Sequence, residues 1–290
     1  MKDQADILRA RMLSRGTHAP AQVLAVASGK GGVGKSNITI NFALSLCRSG
    51  KRVLVLDMDV GMGNVDILLG RTSTSSLPDL IHHRLTFQQI IEQGPAGLEF
   101  AAGGSGMTEL LEMNAEDFEY FNQQLEDVSK EYDVILLDIG AGMTEKSRAW
   151  LLAADEVIVV TTPEPTAVTD AYALMKHLVF QNSHLPFSLI VNRAQTKQSG
   201  ELTMTRMQEA AHRFLHVETQ KLGVVLEDRY VFEAVVNQVP FLIHAPKGKA
   251  SRALGQITDR FLNRSAPAAH REQPGFLEKL KRLVWKGDVT

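Results

Sequence analysis

The chain has 290 residues, 44% of them hydrophobic and 22% charged, ordinary values for a protein with a large buried core. Its formal net charge of −2 gives no global field that would favour nucleic acid, so any affinity for an anionic surface must lie in a local patch. Cys47 is the only cysteine, which excludes an internal disulfide framework and a cysteine-based metal cluster. No apolar run reaches the roughly 18–20 residues of a bilayer span. The start, Met1-Lys2-Asp3-Gln4-Ala5-Asp6, lacks the apolar core of a signal peptide, so a cytosolic, reducing location is expected. Length suits one α/β domain of about 250 residues with short appendages.

In chain order, residues 3–15 come first. Ala5, Leu8 and Met12 recur at helical spacing, with Asp3 and Asp6 early and Arg9, Arg11 and Arg15 late, as a helix dipole favours. Gly16 to Pro20 separate this segment from the core. A helix this short is marginal in water, so it docks on the domain or orders on a partner.

The apolar run Val23-Leu24-Ala25-Val26-Ala27 then leads into Ser28-Gly29-Lys30-Gly31-Gly32-Val33-Gly34-Lys35-Ser36-Asn37, and a helix-compatible stretch runs on to Arg48. Strand, glycine-rich turn and helix form the context of a phosphate-binding loop. Glycines let successive backbone N–H groups from Gly29 to Asn37 curl around phosphate oxygens, and the helix N-terminus adds its positive dipole end. Lys35 reaches the β- and γ-phosphates, and the Ser36 hydroxyl is placed to ligate Mg²⁺. An ordinary loop of this kind has no use for Lys30. The string Lys30-Gly31-Gly32-Val33-Gly34-Lys35-Ser36 resembles the deviant Walker A motif of the MinD/ParA family of dimerising ATPases. That resemblance implies binding of ATP and ADP, and a Lys30 that contacts phosphate across a homodimer interface. Ser36-Asn37 stands where relatives often carry two threonines; serine still supplies the metal-ligating hydroxyl.

Val53-Leu54-Val55-Leu56 reads as a buried parallel strand ending in Asp57-Met58-Asp59. Loops after such strand ends are where parallel sheets hold ligands. Two carboxylates there either cap the next helix or serve the phosphate site, one orienting the attacking water and the other touching the metal shell. The string from Asp57 to Asp66 resembles the family's switch I. By that likeness Asp59 positions water, Asp57 lies by phosphate and Mg²⁺, and Asn64 belongs to a surface that reports nucleotide state. Residues 71–130 carry little chemistry: Leu80-Ile81, Phe87 and Ile90-Ile91 suit short helices, Leu98 to Ala102 a strand, and Ala115 to Val128 a helix on the sheet. His82 and His83 are adjacent, face different ways and read as surface residues.

Val134-Ile135-Leu136-Leu137-Asp138-Ile139-Gly140-Ala141-Gly142 describes a buried strand delivering Asp138 to the same edge. Asp138 is suited to hold a water of the Mg²⁺ shell, and the glycines to a loop that senses the γ-phosphate. The string resembles the family's Walker B and switch II. Val157 to Thr161 is another strand, and Pro163 and Pro165 precede a helix through about Phe180. Leu189-Ile190-Val191 ends in Asn192-Arg193, which resembles the family's adenine-recognition position. Leu222 to Leu226 precedes Glu227-Asp228, whose loop borders the base in the family. The fold class expected is α/β, a mostly parallel sheet of seven or eight strands with helices on both faces.

After Leu262 the chain becomes polar and proline-punctuated through Pro274, a linker. Beyond it Phe276, Leu277, Leu280, Leu283 and Val284 cover about 120° of a helix, with Lys279, Lys281, Arg282 and Lys286 outside that arc. A basic amphipathic helix suits a membrane lipid surface, and its placement resembles the MinD-type targeting helix; packing back on the domain is the competing account. The expected organisation is an N-terminal segment 1–20, an ATPase domain 21–262, a linker 263–275 and a membrane helix 276–290.

Finally, Asp3-Gln4-Ala5 with Leu8-Arg9 resembles the DQAxxLR element of the flagellar FlhG subgroup of this family, in which it engages the FlhF GTPase. The resemblance implies a role in flagellar number and placement, with flagellar switch-ring components as further partners. It also implies a cytoplasmic protein that is peripheral at the inner face of the membrane when ATP-bound, and released by hydrolysis. A DNA-partitioning ATPase would share the core but needs a basic patch, and no specific nucleic acid is expected here. An electron-transfer relative would need bridging cysteines.

Overall fold

The computed structural model describes residues 21–59, 64–104, 113–264 and 274–285. Its frame is an eight-stranded sheet: β1 (Gln22–Ala27), β2 (Val53–Met58), β3 (Glu92–Gln93), β4 (Glu99–Ala101), β5 (Val134–Ile139), β6 (Glu156–Thr161), β7 (Phe187–Ala194) and β8 (Thr219–Leu226). Their order is β3-β4-β2-β5-β1-β6-β7-β8, and every pairing is parallel except β3 with β4. β1 lies between β5 and β6, so the chain diverges to either side of it and the loop after β1 opens at the switch point of the sheet.

Side chains alternate across each strand and divide the core in two. Val23, Ala25 and Ala27 of β1 face one layer, while Leu24 and Val26 face the other. The first layer packs under α3 (Leu77–His82), α4 (Phe87–Ile90), α5 (Ala115–Ser129), α6 (Glu145–Ala153), α7 (Pro165–Gln181) and α8 (Lys197–Ala210). The second holds α1 (Lys35–Arg48), α2 (Val65–Leu68), α9 (Arg229–Val236), α10 (Phe241–His244) and α11 (Lys249–Asn263). β1, β2, β5 and β6 are buried almost throughout, as strands covered on both faces must be. The short antiparallel β3 has no apolar run to announce it and was not among the expected strands; the other seven fall where the sequence placed strands.

The last helix, α12 (Phe276–Trp285), departs from the organisation read from sequence. Its apolar stripe joins the first layer: Phe276 and Leu280 are buried there, and Leu277 and Leu283 pack against it. The Phe276 ring lies 6.1 Å from the Trp150 ring of α6. Lys279 Nζ is 3.5 Å from Asp155 Oδ1, and Lys281 Nζ donates to Glu119 Oε2 at 2.8 Å. In this conformation, of the residues predicted for a lipid surface, Leu277 and Leu283 are half-buried and only Val284 is exposed, at 36%. The others meet the domain because an apolar stripe fits either kind of surface. The partner-binding residues Asp3, Gln4, Ala5, Leu8 and Arg9 lie outside the described residues.

Candidate functional site

Strand parity brings the chemistry together. Asp57 and Asp138 are register partners on neighbouring β2 and β5, and both follow residues whose side chains face the α1 layer: Val53 and Val55 on β2, Val134 and Leu136 on β5. Both carboxylates therefore emerge beside the start of α1, at the C-terminal edge of the sheet. Lys35, the first residue of α1, donates from Nζ to Asp138 Oδ1 at 2.7 Å, and Thr39 one turn later donates to the same oxygen at 2.8 Å. Lys35 Nζ also lies 3.2 Å from Ser36 Oγ.

Burial raises the Asp57 carboxyl to about 7, with the neighbouring Asp138 charge adding to the shift. Its oxygens are spent on backbone: Oδ1 accepts from Asp59 N at 3.1 Å, and Oδ2 from Asn64 N at 2.9 Å and Val65 N at 3.2 Å. Asp57 thus does what the helix-capping account foresaw, anchoring the start of α2, while sitting beside Asp138. Asp59 leans on the opposite loop, since a Cβ added at Gly140 would lie 3.0 Å from its Oδ1.

The phosphate-binding loop is shaped by close approaches. Gly34 has φ 87°, and a Cβ there would meet Asn192 Nδ2 at 2.4 Å. A Cβ on Gly29 would lie 2.1 Å from the backbone carbon of Asp170, so this glycine lets β1 pass close to α7. By contrast, Gly31 and Gly32 are exposed, and no atom lies within 4 Å of a Cβ built on Gly32, which leaves the outer turn open to a ligand. Val33 is buried, and its carbonyl accepts from Asn192 Nδ2 at 2.8 Å. Asn192 therefore ties β7 to the loop, with its amide nitrogen engaged by the Val33 carbonyl. Arg193, at φ 55°, donates to the Gly32 carbonyl at 3.2 Å.

A cavity of about 380 Å³ opens beside this loop, lined by Thr162, Pro163, Glu164, Arg193, Gln195, Ser199 and Glu227. Arg193 and Glu227 were expected here; Gln195 and Ser199 were not. Thr196 and Ser199 form a capping box at the start of α8, a sequence signal that marks this helix end on the ligand edge. Asp228 does not reach the cavity. It caps α9 by accepting from Tyr230 N and also accepts from Ala250 N, each at 3.1 Å. Lys30 stays at the rim, 43% exposed, 3.1 Å from Thr166 Oγ1 and 3.4 Å from Glu164 Oε2.

One observation tests the fit of Mg²⁺: the second oxygen of Asp138 is buried with no hydrogen-bond partner. A hydrated cation beside Ser36 would satisfy it, so the residues present fit the ion.

A family model described as an AAA domain matches residues 21–186. The chain is 35% identical over 272 residues to the antiactivator FleN of Pseudomonas aeruginosa, covering 93% of this chain and 96% of FleN. It is 33% identical over 270 residues to the flagellum site-determining protein YlxH of Helicobacter pylori, covering 90% and 89%. Among solved structures, the MinC:MinD cell division complex of Aquifex aeolicus superposes with a TM-score of 0.68 at 25% identity, over 85% of this chain and 98% of that one. With its loop lysines, paired carboxylates and sheet order, the chain belongs to the MinD/ParA family of ATPases, on the branch of FleN and FlhG.

Proposed function

We propose that this ATPase is a nucleotide-dependent dimerisation switch that sets flagellar number and placement and visits the membrane in its ATP state. The observation that carries the reading is the position of Lys30. It belongs to the phosphate-binding loop yet turns outward to the rim, where Glu164 and Thr166 hold it. A cation so placed is available to the phosphates bound by a second copy, and ATP then joins two protomers face to face. Lys35 and the N–H groups from Gly31 to Asn37 hold the phosphates of each protomer. Ser36, with Asp57 and Asp138 beside it, would hold Mg²⁺, which would supply charge neutralisation on the phosphates. Asp59 orients the attacking water, and hydrolysis to ADP returns monomers.

The docked α12 gives the switch an output. Among the described residues no helix is long and apolar enough to cross a membrane, so contact with lipid would be peripheral, through Phe276, Leu277, Leu280, Leu283 and Val284. That stripe is shared between domain and bilayer, and release of α12 is required for membrane binding. One helix binds weakly; two on a dimer gain avidity. The name of the YlxH relative, a flagellum site-determining protein, supports the flagellar role. A GTPase of the FlhF type engaging residues 3–9, and switch-ring components, are the partners that this role entails. Liposome cosedimentation tests the reading, comparing the full chain with one ending at Pro274. Binding is expected with ATP, little with ADP and none after truncation; nucleotide-independent binding, or none lost on truncation, would contradict it.

A further inference from the structure

Thr39 lies outside the phosphate-binding string, yet its polar side chain is wholly buried beside the site. It follows Lys35 by one turn of α1, so the two side chains share the face that meets the end of β5. Its hydroxyl oxygen is 2.8 Å from Asp138 Oδ1 and 3.1 Å from the Lys35 carbonyl oxygen. A hydroxyl has one proton to give, and a carboxylate at the shorter distance takes it in preference to a carbonyl. Asp138 Oδ1 therefore has both Lys35 and Thr39 as donors, while Oδ2 has none. One oxygen of the carboxylate is held by α1, and the other is left for a ligand.

The two donors differ in what else they must do. Lys35 is the residue assigned to the phosphates, and a triphosphate with several charged oxygens outcompetes a single carboxylate for its ammonium group. Thr39 has no second duty: it is neutral, and it is fixed on the buried side of α1. We propose that Thr39 is a positioning residue for the metal shell. Its hydroxyl keeps Asp138 Oδ1 in place when Lys35 turns to phosphate, so that Oδ2 stays available to the shell of Mg²⁺. The inference rests on the Mg²⁺ site proposed above and adds to it a residue that acts through Asp138. Thr39→Val would put a methyl group where the hydroxyl stood, and in the nucleotide state Oδ1 would then have lost both donors. The competing account is that Thr39 closes only the ordinary bond of a helical threonine to the carbonyl one turn back. That bond would support α1 equally with and without metal.

The test is a Mg²⁺ titration of the full chain bound to a fluorescent ATP analogue, with melting curves in EDTA as the check on folding. Thr39→Val should bind the analogue in EDTA within about twofold of the parent. The Mg²⁺ concentration that half-saturates the signal should rise about tenfold, the low end for loss of a hydrogen bond behind a metal-shell group. Phosphate release at saturating ATP should fall by a similar factor, with KM for ATP nearly unchanged. Thr39→Ser keeps the hydroxyl and should stay within about threefold of the parent in both measurements. If Thr39→Val does not fold, Thr39→Ala removes the same hydroxyl and decides. A parent-like Mg²⁺ half-point without the hydroxyl, or equal weakening of the analogue with and without Mg²⁺, would overturn the inference and leave Thr39 as a helix bond. A parent whose analogue signal ignores Mg²⁺ would instead end the metal reading itself.

Discussion

Lys35 and Asp138, one on the helix after the phosphate-binding loop and one at the end of β5, are joined in a buried 2.7 Å ion pair. The lysine proposed to serve phosphate is therefore held on the carboxylate proposed to serve the metal. Asp57 stands beside them, so two buried carboxylates face the one Lys35 cation. Asp138→Asn should relieve the repulsion on Asp57, leaving thermal stability at pH 8 equal to the parent's or higher. Mg²⁺-dependent ATP turnover should fall about 100-fold or more, since a metal-shell carboxylate is lost. Thermal denaturation and a phosphate-release assay check the two halves.

Asp57 makes the nucleotide-free protein sensitive to pH. Its folded value of about 7 lies above its ordinary 3.8, so the folded state binds the proton more tightly than the unfolded chain. The stability this gives is full below the unfolded value and is lost as pH rises through about 7. Melting curves in EDTA from pH 5 to 8.5 should show stability falling over this window, and Asp57→Asn should flatten that fall. A parent with no such decline would contradict the assignment.

Glu164 and Thr166 hold Lys30 in the monomer. The Lys30–Glu164 pair is exposed on both sides, so it is worth well under ~1 kcal/mol. Glu164→Gln should therefore tighten ATP-dependent dimerisation by no more than about fivefold. A larger change, or a loss of dimer, would mean that Glu164 does more than hold Lys30.

Docking of α12 is opposed by any change that weakens its polar rim while leaving its stripe intact. Glu119→Lys replaces the Lys281 contact with repulsion. Liposome binding in the ADP state should rise by about two- to fivefold, the scale of an exposed ion pair. Unchanged binding would show that this rim has no part in holding the helix.

How much of this was legible in sequence follows from the range of each signal. The phosphate-binding loop is a contiguous string whose chemistry is carried by its own backbone, so Gly29 to Asn37 could be read directly. Asp57 and Asp138 were legible because each ends an apolar run. Their pairing in register was not, since it depends on which strands become neighbours. The same limit hid the ties of Asn192 to Val33 and of Lys30 to Glu164, each spanning more than a hundred residues. The cap that Asp228 forms on α9 was not foreseen, because an aspartate after a strand serves equally in a ligand loop or as a helix cap. The α12 stripe was read correctly as amphipathic, but amphipathicity does not name the surface that receives it.

The central claim is that Lys30 serves the other copy's nucleotide. Its most direct test is light scattering coupled to size exclusion, comparing the parent and Lys30→Ala with Mg-ATP. A dimeric parent beside a monomeric variant that still binds ATP is the predicted result; a variant that dimerises and hydrolyses ATP as the parent does would contradict it.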